Sequence, residues 1–259
     1  MQKSSLIFMI LLVFVMIACP IHAGVVDGLV PCVVSLMQEV DEGKEVFIGS
    51  GFLVRTDDKT FLITASHVSK KLGVKWLIVM PGADGKAITA HAINLNWKES
   101  PGADVAVTLL DIKDSERKKS ILNRSLPLHH LSARPLPPSR DIPLTVMGYP
   151  LRFGSSGYVS PLSVETKAAS GFITLPRFDN GQLANFILLQ DPSIGGLSGG
   201  PVFDTGMSYF EGGRKIAARE GVSVVGIIHG VISDKTGGKF AVVIPSTEIL
   251  GVIEDIQKY

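Results

Sequence analysis

The stretch that most constrains this chain is Gly196-Leu197-Ser198-Gly199-Gly200-Pro201. Glycine lacks a Cβ and takes backbone angles that other residues avoid. One glycine two positions before a serine and two directly after it describe a tight loop around a single hydroxyl, and such loops can turn successive backbone N–H groups inward as an anion-binding nest. Apolar, strand-like runs flank the loop, Phe186 to Gln190 before it and Val202-Phe203 after it. A hydroxyl held this way is a candidate nucleophile. It is weak alone and needs a base, and the base needs a group that orients it.

Two upstream stretches can supply these partners. Thr64-Ala65-Ser66-His67 ends an apolar strand on a histidine, and Asp104-Val105-Ala106-Val107 opens another on an aspartate. With the serine loop, these resemble the T-A-x-H, D-[IV]-A-[LV] and G-x-S-G-G-P signatures of the chymotrypsin/trypsin-fold serine peptidases, in the same chain order. Smaller similarities are Gly49 to Val54, Val146 to Pro150 and Gly226 to Gly230. The resemblance spans roughly residues 30 to 256 and is nearest the bacterial HtrA-type and glutamyl-endopeptidase-type branches, without a PDZ domain.

The resemblance implies an all-β fold of two six-stranded antiparallel β-barrels, with the active site between them and a short C-terminal helix. It implies a catalytic triad of Ser198 as nucleophile, His67 as base and Asp104 as orienter, with an oxyanion hole formed by the N–H groups of Gly196 and Ser198. Activity is then expected to rise with pH as His67 loses its proton, in the range where histidine titrates. No cofactor and no metal are implied, and the partner is a protein or peptide substrate.

Two departures from the family pattern matter. Leu197 stands where zymogens of the chymotrypsin type carry an aspartate that pairs with a new N-terminus, so no activation cleavage is implied. Pro192 stands where trypsin carries a pocket carboxylate, so a preference for Lys or Arg is not supported. His229, Gly230 and Val231 are candidate substrate-binding residues. Glutamate-specific relatives carry a pocket histidine as G-I-H, whereas this chain reads Gly226-Ile227-Ile228-His229, and a one-residue slip in a strand reverses side-chain direction. A structural or rim role is therefore favoured for His229, and Ile228 and Val231 suggest a pocket for small or apolar side chains.

The rest of the chain is compatible with this reading. Of 259 residues, 46% are hydrophobic, enough for a full core, and the net charge of +1 carries no basic cluster that would suit nucleic acid. Residues 1–23 read as a secretory signal: Lys3, an apolar run from Leu6 to Ala18 too short for a membrane span, and a cleavage site at Ile21-His22-Ala23. The competing reading is a lipobox, Met16-Ile17-Ala18-Cys19, with a lipid anchor at Cys19. Export to the periplasm or medium follows from either. Cys32 is then the lone cysteine of the mature chain, expected to be a buried small residue in a fold without disulfides.

Strand-like runs separated by turn residues fill 24–125, expected to form the barrel carrying His67 and Asp104, and 142–259, expected to carry Ser198 and the last helix. Between them, 126–141 is proline-rich and reads as a linker, with His129 and His130 on a surface loop. In the last helix, Ile249, Val252, Ile253 and Ile256 fall on one face behind a Ser246 cap. His91 and Asp111 are rival base and orienter, but neither has the family context. An α/β-hydrolase esterase would also use G-x-S-x-G, but it orders its triad as serine, acid, histidine. The remaining alternative is a catalytically silent or latent binding module on the trypsin fold, its cleft blocked by loop 152–161 or by the insertion 205–221.

Overall fold

The computed structural model describes residues 24–41, 44–93, 96–209, 215–217 and 221–258. The expected export signal, with Cys19 and Ala23, lies outside these residues. A short helix α1 (Val25–Leu29) leads into β1 (Val33–Asp41), β2 (Lys44–Arg55), β3 (Thr60–Thr64), the single helical turn α2 (Ser66–Ser69), β4 (Lys75–Pro81), β5 (Ala87–Ile93), β6 (Lys98–Glu99) and β7 (Ala106–Leu109). Helix α3 (Ser115–Arg124) and the two-residue strand β8 (Leu126–Pro127) follow. These strands form one sheet in the order β5-β4-β1-β2-β3-β7-β6, with β8 added in parallel beside β2.

The second sheet comprises β9 (Leu144–Gly148), β10 (Leu162–Thr166), β11 (Ala168–Pro176), β12 (Leu183–Leu189) and β13 (Pro201–Asp204). A small hairpin, β14 (Met207–Tyr209) with β15 (Lys215–Ala217), interrupts it before β16 (Ser223–Ser233) and β17 (Lys239–Pro245) return. Its order is β10-β9-β13-β16-β17-β12-β11, and the chain continues into α4 (Ser246–Gln257). The all-β architecture of two sheets with a C-terminal helix is the expected one. The strand count differs: the sheets hold eight and seven strands rather than six each, because the short pieces β6 and β8 complete the first sheet and an early bend splits β10 from β11.

Alternation along the strands builds the core in layers. Val34, Leu36, Leu53 and Leu62 face the inside of the first sheet, where they meet Trp76, Ile78 and Ile121 of α3. Their neighbours Val33, Met37, Phe52, Phe61 and Ile63 face the other way and join Met147, Tyr149, Phe203 and Ile244 of the second sheet in one continuous cluster. Strands buried on both faces read as unbroken apolar runs, and β3 is buried at every position.

Helix α3 lies within 24–125, where the sequence suggests only strand-like runs and turns. Its local signal is the N-cap Asp114, whose carboxylate accepts the Arg117 N–H at 2.7 Å. In α4, Ile249, Val252 and Ile253 are buried as the spacing predicts. Ser246 does not cap this helix: Pro245 occupies the N-cap, and the Ser246 hydroxyl instead donates to the Ser132 carbonyl, tying the helix to the connection between the sheets.

Cys32 is 3% exposed and its thiol donates to the Leu29 carbonyl. Burial pushes its pKa up to about 12, so the reactive thiolate is suppressed. The native protein is therefore expected to resist maleimide at Cys32 at neutral pH and to take up label there once unfolded, which peptide mapping by mass after timed labelling would read directly.

Candidate active site

β3 carries His67 to the junction of the two sheets. After Thr64 the chain leaves the strand, and Ala65 stays extended as the N-cap of α2. Asp104 sits at the end of a turn closed by the Ser100 N–H on the Val105 carbonyl at 2.9 Å. The Ser100 hydroxyl accepts the N–H groups of Gly102 and Ala103 and donates to Glu248 of α4 at 3.3 Å, so the last helix braces the turn that holds the aspartate.

Asp104 is fully buried. A buried charge survives only when hydrogen-bonded, and three donors converge on this one. The His67 main-chain N–H meets Oδ1 at 2.8 Å, the His67 Nδ1 lies 2.6 Å from Oδ2, and the His229 Nδ1 lies 2.6 Å from the same Oδ2. Burial alone would push the Asp104 pKa up, but the hydrogen bonds from His229 and His67, with their charges, outweigh it and hold the group well below the usual carboxylate range.

His229, a candidate substrate-binding residue with a structural role favoured, lies beside Asp104. Its imidazole is 2% exposed and points at Asp104, with Phe178 and Phe186 stacked near it at 4.6 and 5.2 Å between ring centroids. Its Nε2 accepts the Phe178 N–H at 3.1 Å. The pairing of β16 with β17 shifts register between Ile228 and Gly230, so His229 is the bulged residue. Beyond the bulge, Gly230 is half-buried and Val231 is exposed.

The serine loop is locked to both sheets. Gly196 has φ 103° and Gly199 φ 81°, and a Cβ on Gly199 would collide with the Thr64 hydroxyl and the Ser50 carbonyl. Ser50 on β2 is the hub: its N–H donates to the Ser198 carbonyl at 3.0 Å, while its hydroxyl donates to the Gly196 carbonyl at 2.7 Å and accepts the Tyr149 N–H at 2.9 Å. Sequence reading noted Gly49 to Val54 only as a family similarity; a small polar residue inside an apolar strand was the available signal. From the other side, Leu197 is buried among Val146, Ile228 and Ala241 in the core of the second sheet. An apolar anchor thus holds the loop at the position where a charge pair would otherwise be required.

The Leu151 N–H donates to the Gly195 carbonyl at 2.8 Å. In a trans peptide C=O and N–H point opposite ways, so this bond turns the Gly196 N–H away from Leu151. Among the described residues, neither the Gly196 N–H nor the Ser198 N–H has an acceptor. The Ser198 hydroxyl donates to the main-chain carbonyl of His229 at 3.3 Å and is not hydrogen-bonded to His67.

His67, Asp104 and His229 also have the composition of a metal site, with ligand atoms within 4.8 Å of one another. The geometry argues otherwise, because Asp104 Oδ2 itself stands between the two Nδ1 atoms at hydrogen-bond length and takes the place an ion would need. His91 on β5 and Asp111 are exposed and outside the site, and the His130 Nδ1 lies 2.6 Å from the Val222 carbonyl in a 3-10 turn.

The two sheets thus meet at a half-buried histidine and a buried aspartate beside a glycine-bound serine, a triad-like arrangement. The sequence model of the trypsin-like peptidase domain matches residues 49–208, and the chain belongs to that family. Among solved structures, the protease domain of MamO from Magnetospirillum magneticum superposes with a TM-score of 0.59 at 16% identity, over 86% of this chain and 96% of that one. The active form of the Rv3671c protease from M. tuberculosis gives 0.56 at 17% identity, over 89% and 83%. The HtrA-type protease AlgW, solved with a decapeptide, gives 0.57 at 18% identity, over 91% and 67%. These likenesses are of fold. No curated protein matches the chain by sequence.

Two expectations follow. Because the Asp104 pKa is depressed on folding, its contribution to stability is present above the unfolded value of about 3.9 and is lost as pH falls below it. Thermal unfolding should find Asp104→Asn less stable than wild type at neutral pH, with the gap narrowing below about pH 4. Leu197→Ala should cost about 2–5 kcal/mol in denaturant unfolding through the cavity it leaves.

Proposed function

We propose that the protein is a serine endopeptidase that cleaves peptide bonds through an acyl-enzyme formed on Ser198. The observation that carries this reading is the buried, ionised Asp104 bonded to both the main chain and the Nδ1 of His67. In this reading the Ser198 hydroxyl leaves the His229 carbonyl and is taken up by the His67 Nε2. His67 takes the proton as Oγ attacks the carbonyl and returns it to the leaving amine, while Asp104 stabilises the imidazolium between the two steps. The two unengaged N–H groups, Gly196 and Ser198, suit the oxyanion; losing one such donor typically costs about 10²- to 10³-fold in rate.

An extended substrate has a place to lie. β13 pairs with β16 only as far as Ile227, so the edge of β16 beyond it, from Gly230 onward, is open to a peptide strand. His229 is sealed below that edge, which favours small or apolar side chains over acidic ones. Removal of an export signal ending at Ala23 and release from the cytoplasm belong to the same reading.

A second reading, a latent or silent module on this fold, is favoured by one observation: the Ser198 hydroxyl is bonded to the His229 carbonyl and not to His67. Labelling of the purified mature protein with a fluorophosphonate separates the two. The peptidase reading expects labelling that disappears in Ser198→Ala and falls by about 10⁴-fold or more in rate in His67→Ala. A folded wild type that takes no label would transfer the weight to the latent module.

A further inference from the structure

We propose that His229 is a positioning residue for this reaction, holding the Asp104 carboxylate in the orientation that serves His67 and drawing part of its charge away from His67. The proposal rests on the peptidase reading above, and it begins from a feature that reading does not use: one carboxylate oxygen shared by two imidazoles.

The donor on His229 is fixed. Its Nε2 faces a main-chain N–H, that of Phe178 at 3.1 Å, and a nitrogen that accepts a hydrogen bond carries no proton. The proton of the neutral ring is therefore on Nδ1, which lies 2.6 Å from Asp104 Oδ2. The ring cannot easily turn to any other partner, since Phe178 and Phe186 lie nearly parallel to it, at interplanar angles of 10° and 16°. With both nitrogens engaged and the ring sealed, a substrate carboxylate has no donor left to bind, so His229 acts on Asp104 rather than on the substrate.

Two effects follow for His67. The first is geometric. Asp104 Oδ1 is held by the His67 main-chain N–H and Oδ2 by His229 and His67 together, so the carboxylate plane is fixed from both sides of the sheet junction. The second is electrostatic. A hydrogen bond donated to Oδ2 withdraws charge from the oxygen that faces the His67 Nδ1. The other charged groups around the cluster are few. Arg177 pairs with Asp179 on the loop that carries Phe178, at 2.9 and 2.7 Å, and Glu99 pairs with Lys70 at 2.9 Å nearer the surface. Arg177 also acts on Asp104 through its charge, at longer range, and His229 is the ring in direct hydrogen-bond contact with Oδ2. The same residue touches the other end of the site through its main-chain carbonyl, which holds the Ser198 hydroxyl.

Two substitutions test the role. His229→Phe keeps an aromatic ring between Phe178 and Phe186 but removes both nitrogens. His229→Asn can return a donor near the position of Nδ1. The readouts are fluorophosphonate labelling rate and kcat/KM against pH, with kcat and KM separated, and the downfield proton NMR spectrum, which needs no activity. Losing a hydrogen bond to a charged group predicts a fall of about ten- to a hundredfold in kcat for His229→Phe with little change in KM. The acid limb of the profile moves to higher pH, and His229→Asn restores rate and limb together. In the wild type two protected imidazole N–H resonances are expected downfield; His229→Phe removes one and shifts the other.

An unmoved acid limb in His229→Phe, or equal losses in both variants with the limb in place, would overturn the proposal in favour of simple packing. A single downfield resonance in the wild type, or a His67 resonance indifferent to His229→Phe, would overturn it as well. Failure of the peptidase reading looks different: the wild type takes no label, while the two NMR resonances and their response to His229→Phe remain as expected.

Discussion

A carboxylate with no solvent exposure is the constraint on which this structure turns. The charge of Asp104 is carried by N–H groups from two distant segments, around residues 67 and 229. Those segments belong to different sheets. Each can satisfy Asp104 only if the sheets dock in one relative position, because hydrogen bonds of 2.6 to 2.8 Å tolerate little displacement. The large apolar interface between the sheets supplies the driving force for docking, and the buried charge selects one arrangement among the many that apolar surfaces alone would accept.

The serine loop obeys the same logic in neutral groups. Three of its carbonyls, those of Gly195, Gly196 and Ser198, are held by Leu151, by the Ser50 hydroxyl and by the Ser50 N–H, and the Leu197 side chain roots the loop in the opposite core. With the carbonyls occupied, the N–H groups of Gly196 and Ser198 are left without an acceptor among the described residues. Part of that arrangement is held under strain, since Leu151 and its neighbour Arg152 both have positive φ, at 51° and 67°, without being glycine. Preorganised donors are what electrostatic stabilisation of a developing oxyanion requires. The arrangement follows from the packing of the two sheets against the loop.

Much of this was legible in the chain. Apolar runs and turn residues mark the strands, and the ordered motifs around His67, Asp104 and Ser198 locate the site. What escaped has physical causes. His229 lies on a bulge, and alternation along β16 carries no trace of a register shift that arises between β16 and β17. Four consecutive buried residues, Gly226, Ile227, Ile228 and His229, make a pattern that strict period two cannot produce. Ser50 looks like one serine among many until the opposite sheet brings it Gly196 and Tyr149. β8 has two residues, and its pairing with β2 depends on chain separated by more than seventy positions. Helix α3 buries only Ile121, so its sequence shows little of the apolar stripe by which helices are found.

Helix α4 lies late in the sequence, yet Glu248 on it reaches the hydroxyl that shapes the turn before Asp104, 148 positions earlier. Contacts of such separation form late, because a long loop must close before they return any stabilisation. The turn around Asp104 therefore gains this brace only when α4 docks on the assembled sheets, so the buried carboxylate is the last part of the first sheet to be fully supported.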